Sequence, residues 1–279
     1  MAHPQIAIFA RLAKENSQPN RVLAGQATNL SRTMHDIRYD AVNDEILVTN
    51  PFAKAIMAFR GDANGEAAPI RIIQGPKTQL GSNTDHLDVD PVHNEIFIPA
   101  RDRILVFRRD AQGDVAPIRV IQGPDTRLSG VLGVAVDPVN DVLVAGIVGS
   151  SQFGYGDGSN LGSLLIFNRT DNGNVKPKRV IQGPKTGLLI PEQLQVYPPR
   201  GLIFVVQSSD WRIRFPEGTY LGIWSIHDEG NVPPRWKIAG PKSTITRPRG
   251  VAINPKHKEI MVADMSLNSV AIFYFPQVF

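Results

Sequence analysis

The chain has 279 residues, of which 42% are hydrophobic; 30 Lys and Arg face 26 Asp and Glu for a net charge of +4, and there is no cysteine. This is ample for an apolar core, and it excludes disulfide staples and thiolate metal sites. The pI of 9.4 is high, but the two signs are interspersed and no Lys/Arg run exceeds two residues, so a nucleic-acid partner is not expected.

No apolar stretch reaches membrane-spanning length, so no membrane association is expected. The opening Met-Ala-His-Pro-Gln lacks the basic-then-apolar pattern of a signal peptide, and cytoplasmic is the expected location.

In chain order, the first strand-like piece is Ile6-Ala-Ile-Phe9, followed by Arg21-Val-Leu-Ala-Gly25. A four-piece unit then recurs. Its first piece is short, apolar and ends in a turn residue: Ile37–Asp40, Leu87–Asp90, Gly133–Asp137, Leu194–Tyr197 and Gly250–Asn254. Asp or Asn next to Pro, as in Asp90-Pro-Val-His-Asn94, is turn chemistry. The second piece is Glu45-Ile-Leu-Val-Thr49 and its copies at 95–99, 142–145, 202–206 and 259–263. The third ends in an aromatic: Phe59, Phe107, Phe167, Trp224 and Phe273. A Gly hairpin follows, of which Asn172-Gly173 is a strong turn signal because both residues tolerate positive φ. The fourth piece is arginine-led: Arg71-Ile-Ile-Gln-Gly-Pro-Lys-Thr78 returns at Arg119 and Arg179, with worn copies at Arg21 and Arg235.

Successive arginines stand 50, 48, 60 and 56 residues apart. A strand-rich period near fifty marks a repeat array, and one unit cannot bury its apolar face alone. No segment has a helical period, and 22 Pro and 24 Gly punctuate the chain. The expected class is all-β, with residues 1–279 forming one β-propeller domain of four-stranded antiparallel blades. The Gly-Pro-Lys-Thr repeats are read as structural turns rather than a phosphate loop, because no helix follows them. His93 and His257 fall in solvated turns on the opposite face.

The unit resembles the NHL and SMP-30/gluconolactonase-like propeller repeats of bacteria. The residues that carry this are Gly133-Val-Ala-Val-Asp-Pro138, Glu259-Ile-Met-Val-Ala-Asp264, and the link from Asn172-Gly173 to Arg179-Val-Ile-Gln-Gly-Pro184. The resemblance implies that the first strand of each unit lines a central channel and the arginine-led strand lies outermost. Five channel strands then imply five blades, with the Arg21–Gly25 strand closing the ring as the outer strand of the last. Ile6–Phe9 is left over; it fits a fifth strand on the closing blade, an edge strand for oligomerisation, or a six-bladed ring with one degenerate blade. The family spans scaffolds, sensors, lactonases and lyases, and the lactonase metal motif finds no residue-by-residue match here.

Polar residues gather at the lead-in to the channel strands: His35-Asp36, Asp85-His86, Glu192-Gln193 and Arg249, against Leu132 in the third unit. Five inner strands converge on one axis, so these side chains are expected to meet. One reading is a wet, hydrogen-bonded channel in which Arg249 bridges Glu192. The functional reading is a single small-molecule site at the axial mouth. His35, His86, Glu192 and Arg249 are its catalytic candidates, as base, ligand and anion clamp. Asp36, Asp85, Arg38 and Gln193 are added as ligand-binding candidates. Two imidazoles and a carboxylate (His35, His86, Glu192) suit a divalent metal ion.

Two long insertions, at 149–160 and 208–217, are placed on the same face, where long loops tend to carry function. They offer Tyr155, Trp211, Arg212 and Phe215 for stacking on, and pairing with, an anionic or aromatic small molecule. The chemistry expected of such a site is hydrolysis, isomerisation or elimination. The alternative is a non-catalytic protein- or glycan-binding propeller.

Overall fold

A computed structural model describes residues 4–31, 34–82, 84–149, 161–209 and 218–279. It is a five-bladed β-propeller, all-β, with short 3₁₀ turns and no α-helix among the described residues. The first blade holds β3 (Ile37–Asp40), β4 (Glu45–Asn50), β5 (Ala55–Arg60) and β6 (Arg71–Gln74). The second holds β7 (Asp88–Asp90), β8 (Glu95–Pro99), β9 (Arg103–Arg108) and β10 (Arg119–Gln122). The third comprises β11 (Val131–Asp137), β12 (Val142–Ile147), β13 (Ser163–Asn168) and β14 (Arg179–Gln182), and the fourth β15 (Ile190–Tyr197), β16 (Leu202–Ser208), β17 (Tyr220–Ser225) and β18 (Trp236–Ala239). The fifth has three strands, β19 (Pro248–Asn254), β20 (Glu259–Asp264) and β21 (Ser269–Tyr274). Strands within a blade are antiparallel and pair in chain order.

The core lies between blades. Because side chains alternate along a strand, one face of a sheet packs on the preceding sheet and the other on the next, except in the fifth blade, whose second face carries Met261, Val270 and Ile272 and lines a cavity. Leu47, Ile56 and Ile73 of the first blade meet Leu87, Ile96 and Phe107 of the second. Phe204 and Leu221 of the fourth meet Val251, Ile260 and Val262 of the fifth.

The Gly-Pro-Lys-Thr repeats are turns, as their repetition suggests. Gly75 sits at φ +137°, a conformation that favours glycine. The Thr78 hydroxyl then donates to the Gly75 carbonyl at 2.6 Å, and Thr126 and Thr186 repeat this on Gly123 and Gly183.

Ring closure departs from expectation. Arg21–Ala24 forms β2, which pairs with β1 (Gln5–Ile8) rather than with β21. The leftover strand explains this: β1 lies one hairpin away from β2, so their pairing has a far smaller loop-closure cost than reaching the far end of the chain. The two-stranded sheet packs Ile6 and Leu23 against Ile46, Val48 and Phe59 of the first blade. Towards the fifth blade, Arg11 donates to Glu259 Oε1 at 2.5 Å. The β1–β2 sheet therefore fills the gap between the fifth and first blades without extending either.

Candidate functional site

The hub is built by the inner strands. Each presents an unpaired edge of N–H groups to the axis, and a buried N–H without a partner is costly. Polar side chains of neighbouring blades supply the acceptors. Asp36 Oδ2 accepts the N–H of Leu87 at 2.9 Å and Asp88 Oδ2 that of Val136 at 2.8 Å. Gln193 Oε1 accepts from Val251 at 2.6 Å, and Gln195 Oε1 from Ile253 at 2.9 Å. Across the axis, the Gln193 amide donates to Asp36 Oδ1. Arg38 spans the hub, donating to Asp88 Oδ1 at 3.2 Å and to the Leu194 carbonyl at 2.9 Å.

Arg38 thus serves two carboxylates, and they titrate in opposite directions. Burial pushes Asp36 up, but the Arg38 charge, His86 and the Leu87 N–H outweigh it and hold the carboxyl below its usual range. Burial dominates at Asp88 and leaves it above its usual range, despite Arg38. Asp36, Arg38 and Gln193 are therefore committed to joining blades. Asp88 and Gln195, missed in the sequence, belong to the same set. Their signal was a polar residue at an interior position of a channel strand, in Leu87-Asp-Val-Asp90 and Leu194-Gln-Val196.

Beside this plug a cavity of about 1050 Å³ opens, and His35, Asp85, His86, Glu192 and Arg249 all line it. It runs from the hub mouth into the gap between the fifth blade and the β1–β2 hairpin. Met34, Phe9, Met261, Val270 and Ile272 form an apolar wall, and Arg11 and Lys14 border it.

At the polar end His35 Nδ1 lies 2.8 Å from Asp85 Oδ1, and Thr49 Oγ1 holds the Asp85 carbonyl at 2.8 Å. Arg249 Nη1 donates to Glu192 Oε2 at 2.5 Å. In each pair the cationic member is the more accessible: the side chains of His35 and Arg249 are 43% and 40% exposed, against 28% and 4% for Asp85 and Glu192. His86 is buried, with Nδ1 3.5 Å from Asp36 Oδ2. Among the described residues this nitrogen has no hydrogen-bond partner.

His35 titrates above its ordinary value of 6.5. The hydrogen bond to Asp85 is the main cause and the Asp85 charge adds to it, while partial burial and the positive Arg249 act against it. A raised folded value means the pair's stabilisation is complete below the ordinary imidazole range and is lost as pH climbs through the folded value. Imidazole NMR titration should place His35 above 6.5, and Asp85→Asn should return it to that value or below. An unchanged midpoint in the variant would remove Asp85 as the cause.

The expected metal triad does not form. Among the described residues no three His, Cys, Asp or Glu side chains come together to hold a metal ion. The carboxylates are spent elsewhere: Glu192 on Arg249, Asp85 on His35. Tyr155, Trp211, Arg212 and Phe215 lie outside the described residues. On the opposite face, His93 is not merely solvated: its Nδ1 sits 2.7 Å from Asp90 Oδ2 and fastens a turn.

No helix among the described residues is long and apolar enough to cross a membrane. No family model and no curated protein sequence matches the chain. Among solved structures, it is similar to a functionally unknown protein from Desulfotomaculum acetoxidans DSM 771, with 13% identity, a TM-score of 0.57, and coverage of 92% of this chain and 72% of that one. It is also similar to the hydrazine synthase of Kuenenia stuttgartiensis, with 14% identity, a TM-score of 0.57, and coverage of 94% and 68%. At such identities the likeness establishes the propeller fold alone.

Proposed function

We propose that the protein is a ligand-binding propeller of the NHL/SMP-30-like kind, with one site for an amphiphilic organic anion. The observation that carries this is the shared cavity: His35–Asp85 and Glu192–Arg249 stand at one end, and an apolar wall runs away from them. A pocket that is mostly apolar with a few convergent polar groups is the usual form of a small-molecule site. The two exposed cationic members take the ligand's carboxylate or phosphate, Arg249 as a planar fork. Met261, Val270 and Ile272 take its apolar body.

The acid–base chemistry open to this site centres on His35. Asp85 engages the ring through Nδ1, which leaves Nε2 as the nitrogen to exchange a proton with a ligand in the cavity that His35 lines, the role general acid–base catalysis needs. Hydrolysis, isomerisation or elimination on the bound anion fits that group. A non-catalytic sensor uses the same contacts without the proton transfer.

Anilinonaphthalene sulfonate is a suitable probe, being an anion on an apolar body. One molecule should bind per chain, and Arg249→Ala and His35→Ala should each weaken it about tenfold, roughly 1.4 kcal/mol. Affinity should also fall as pH rises through the His35 transition, because the imidazole loses its charge. His93→Ala, on the opposite face, should change nothing. Equal binding by all four proteins would sink the proposal.

A further inference from the structure

Neighbouring sheets are stitched together at their outer rim by one recurring clasp. The hairpin leading into a blade's outer strand contributes a glycine, which bridges in parallel to the outer strand of the preceding sheet: Gly65 to Leu23, Gly113 to Ile73, Gly173 to Ile121 and Gly230 to Ile181. The glycine N–H donates to the carbonyl of Val22, Ile72, Val120 or Val180, at 2.8, 2.7, 2.7 and 2.7 Å in turn. The four glycines have φ of +60°, +76°, +73° and +74°, a conformation that disfavours any residue with a Cβ. The residue before the glycine differs from seam to seam: Asn64, Gln112, Asn172 and Glu229.

Two of these seams therefore carry an Asn-Gly step, Asn64-Gly65 and Asn172-Gly173. An asparagine side chain cyclises most readily before glycine, which has no side chain to shield its nitrogen. Both asparagines are exposed to water. In the closed clasp, however, both reacting groups are occupied. The Gly65 N–H is held on the Val22 carbonyl, and Asn64 Oδ1 accepts the Val22 N–H at 3.2 Å. The Gly173 N–H is held on the Val120 carbonyl, and Asn172 Oδ1 accepts the Val120 N–H at 3.0 Å. Swinging Cγ onto the glycine nitrogen breaks both bonds, so the seam must open first. Gln112 would have to close a larger ring and Glu229 has no amide to lose, so the other two seams lack this chemistry.

We infer that Asn64 and Asn172 are self-modification sites that convert to isoaspartate when, and only when, their seams open. The glycine nitrogen bonds to Cγ, the Cγ–Nδ2 bond breaks, and the glycine amide proton leaves with Nδ2 as ammonia. Water, the only co-reactant, then opens the cyclic imide. Attack at the main-chain carbonyl leaves the backbone running through the former side chain, with one added methylene and a free carboxylate. The glycine then no longer meets its bridge in register, and the opening becomes irreversible. The seam at Asn64 should yield first. There the two-stranded β1–β2 sheet meets the first blade through Ile6, Leu23 and Leu30, and Arg21 donates to the Gly61 and Ala63 carbonyls at 2.9 and 3.2 Å. The seam at Asn172 joins two four-stranded blades over Phe97, Ile121 and Phe167, and the buried Arg169–Glu95 pair crosses it at 2.9 Å. Units with fewer buried apolar contacts open at lower free energy. Neither asparagine lines the hub cavity, so the inference does not rest on the small-molecule site.

Peptide mapping by mass spectrometry, on the whole protein held at mildly alkaline pH either folded or in urea, follows both sites. Each site's folded rate is compared with its own rate in urea. Asn64 should be slowed about tenfold or more by folding, and Asn172 about tenfold more again, because modification of a transiently opened site tracks the open population. Arg21→Gln removes two bonds across the first seam; it should speed Asn64 several-fold and leave Asn172 at the wild-type rate. Equal rates in folded and unfolded protein at either site would overturn the inference, as would Asn172 protected no better than Asn64. So would an Arg21→Gln protein in which Asn64 is unchanged, or in which both sites speed up alike, the mark of global rather than seam opening.

Discussion

Asp36→Ala should destabilise the protein by about 3–5 kcal/mol, the range seen when one partner of a buried charge pair is removed. Asp36 is buried and sits at the junction of three blades. It accepts from its own strand at Ile37, from the second blade at Leu87 and from the fourth at Gln193. Arg38 Nη1 lies 3.8 Å away. Truncation leaves two N–H donors and an amide without acceptors, each costing about 1–3 kcal/mol if water does not reach it, and leaves Arg38 with the Asp88 carboxylate and the Leu194 carbonyl but without the Asp36 charge. Asp36→Asn keeps the shape and one carbonyl acceptor, so its cost should be about half as large. Asp102→Ala, which removes only a surface pair with Arg103, should cost under about 1 kcal/mol. Urea unfolding of the three variants checks the ordering. If Asp36→Ala costs no more than Asp102→Ala, the hub is not held by this network.

That network also shows what was legible beforehand. Alternating apolar residues and recurring turns located the strands of every blade, because strand period and turn chemistry are local. The convergence of His35, Asp85, His86, Glu192 and Arg249 followed from their shared lead-in position, which ring geometry alone brings together. Partner choice was not local and could not be read. Nothing in Ile37-Arg-Tyr-Asp40 says that Arg38 reaches the fourth blade or that Asp88 divides it with Asp36. The metal expectation failed for the same reason: Glu192 and Asp85 have nearer cationic partners. Closure by Arg21–Gly25 failed because Ile6–Phe9 offers β2 a neighbouring partner. Glu45 and Glu95 were equally opaque, because only the folded ring brings Arg71 and Arg109 onto the first carboxylate and Arg119 and Arg169 onto the second.

Trp224→Ala should cost about 3–5 kcal/mol, the range for deleting a fully buried large aromatic. Trp224 closes the third strand of the fourth blade and packs among Ile181, Leu188, Val205 and Ile226, in the core shared with the third blade. Its Nε1 donates to the Val232 carbonyl at 3.3 Å. Tyr220, two positions beyond Gly222 on the same face, has its ring centroid 6.4 Å from that of Trp224, and its hydroxyl donates to the Thr186 carbonyl of the third blade at 2.8 Å. The two rings close over Gly222, where a Cβ would stand 2.5 Å from Cζ3 of Trp224 and 2.8 Å from Cε2 of Tyr220. The glycine is thus required by the indole rather than by backbone conformation. Gly222→Ala alone should cost about 1–3 kcal/mol through overpacking. With Trp224→Ala already present, the added methyl enters the space the indole vacated, and the double variant should be more stable than the sum of the single losses by about 1 kcal/mol or more. Strict additivity in urea unfolding would show that Gly222 is not there to seat the ring.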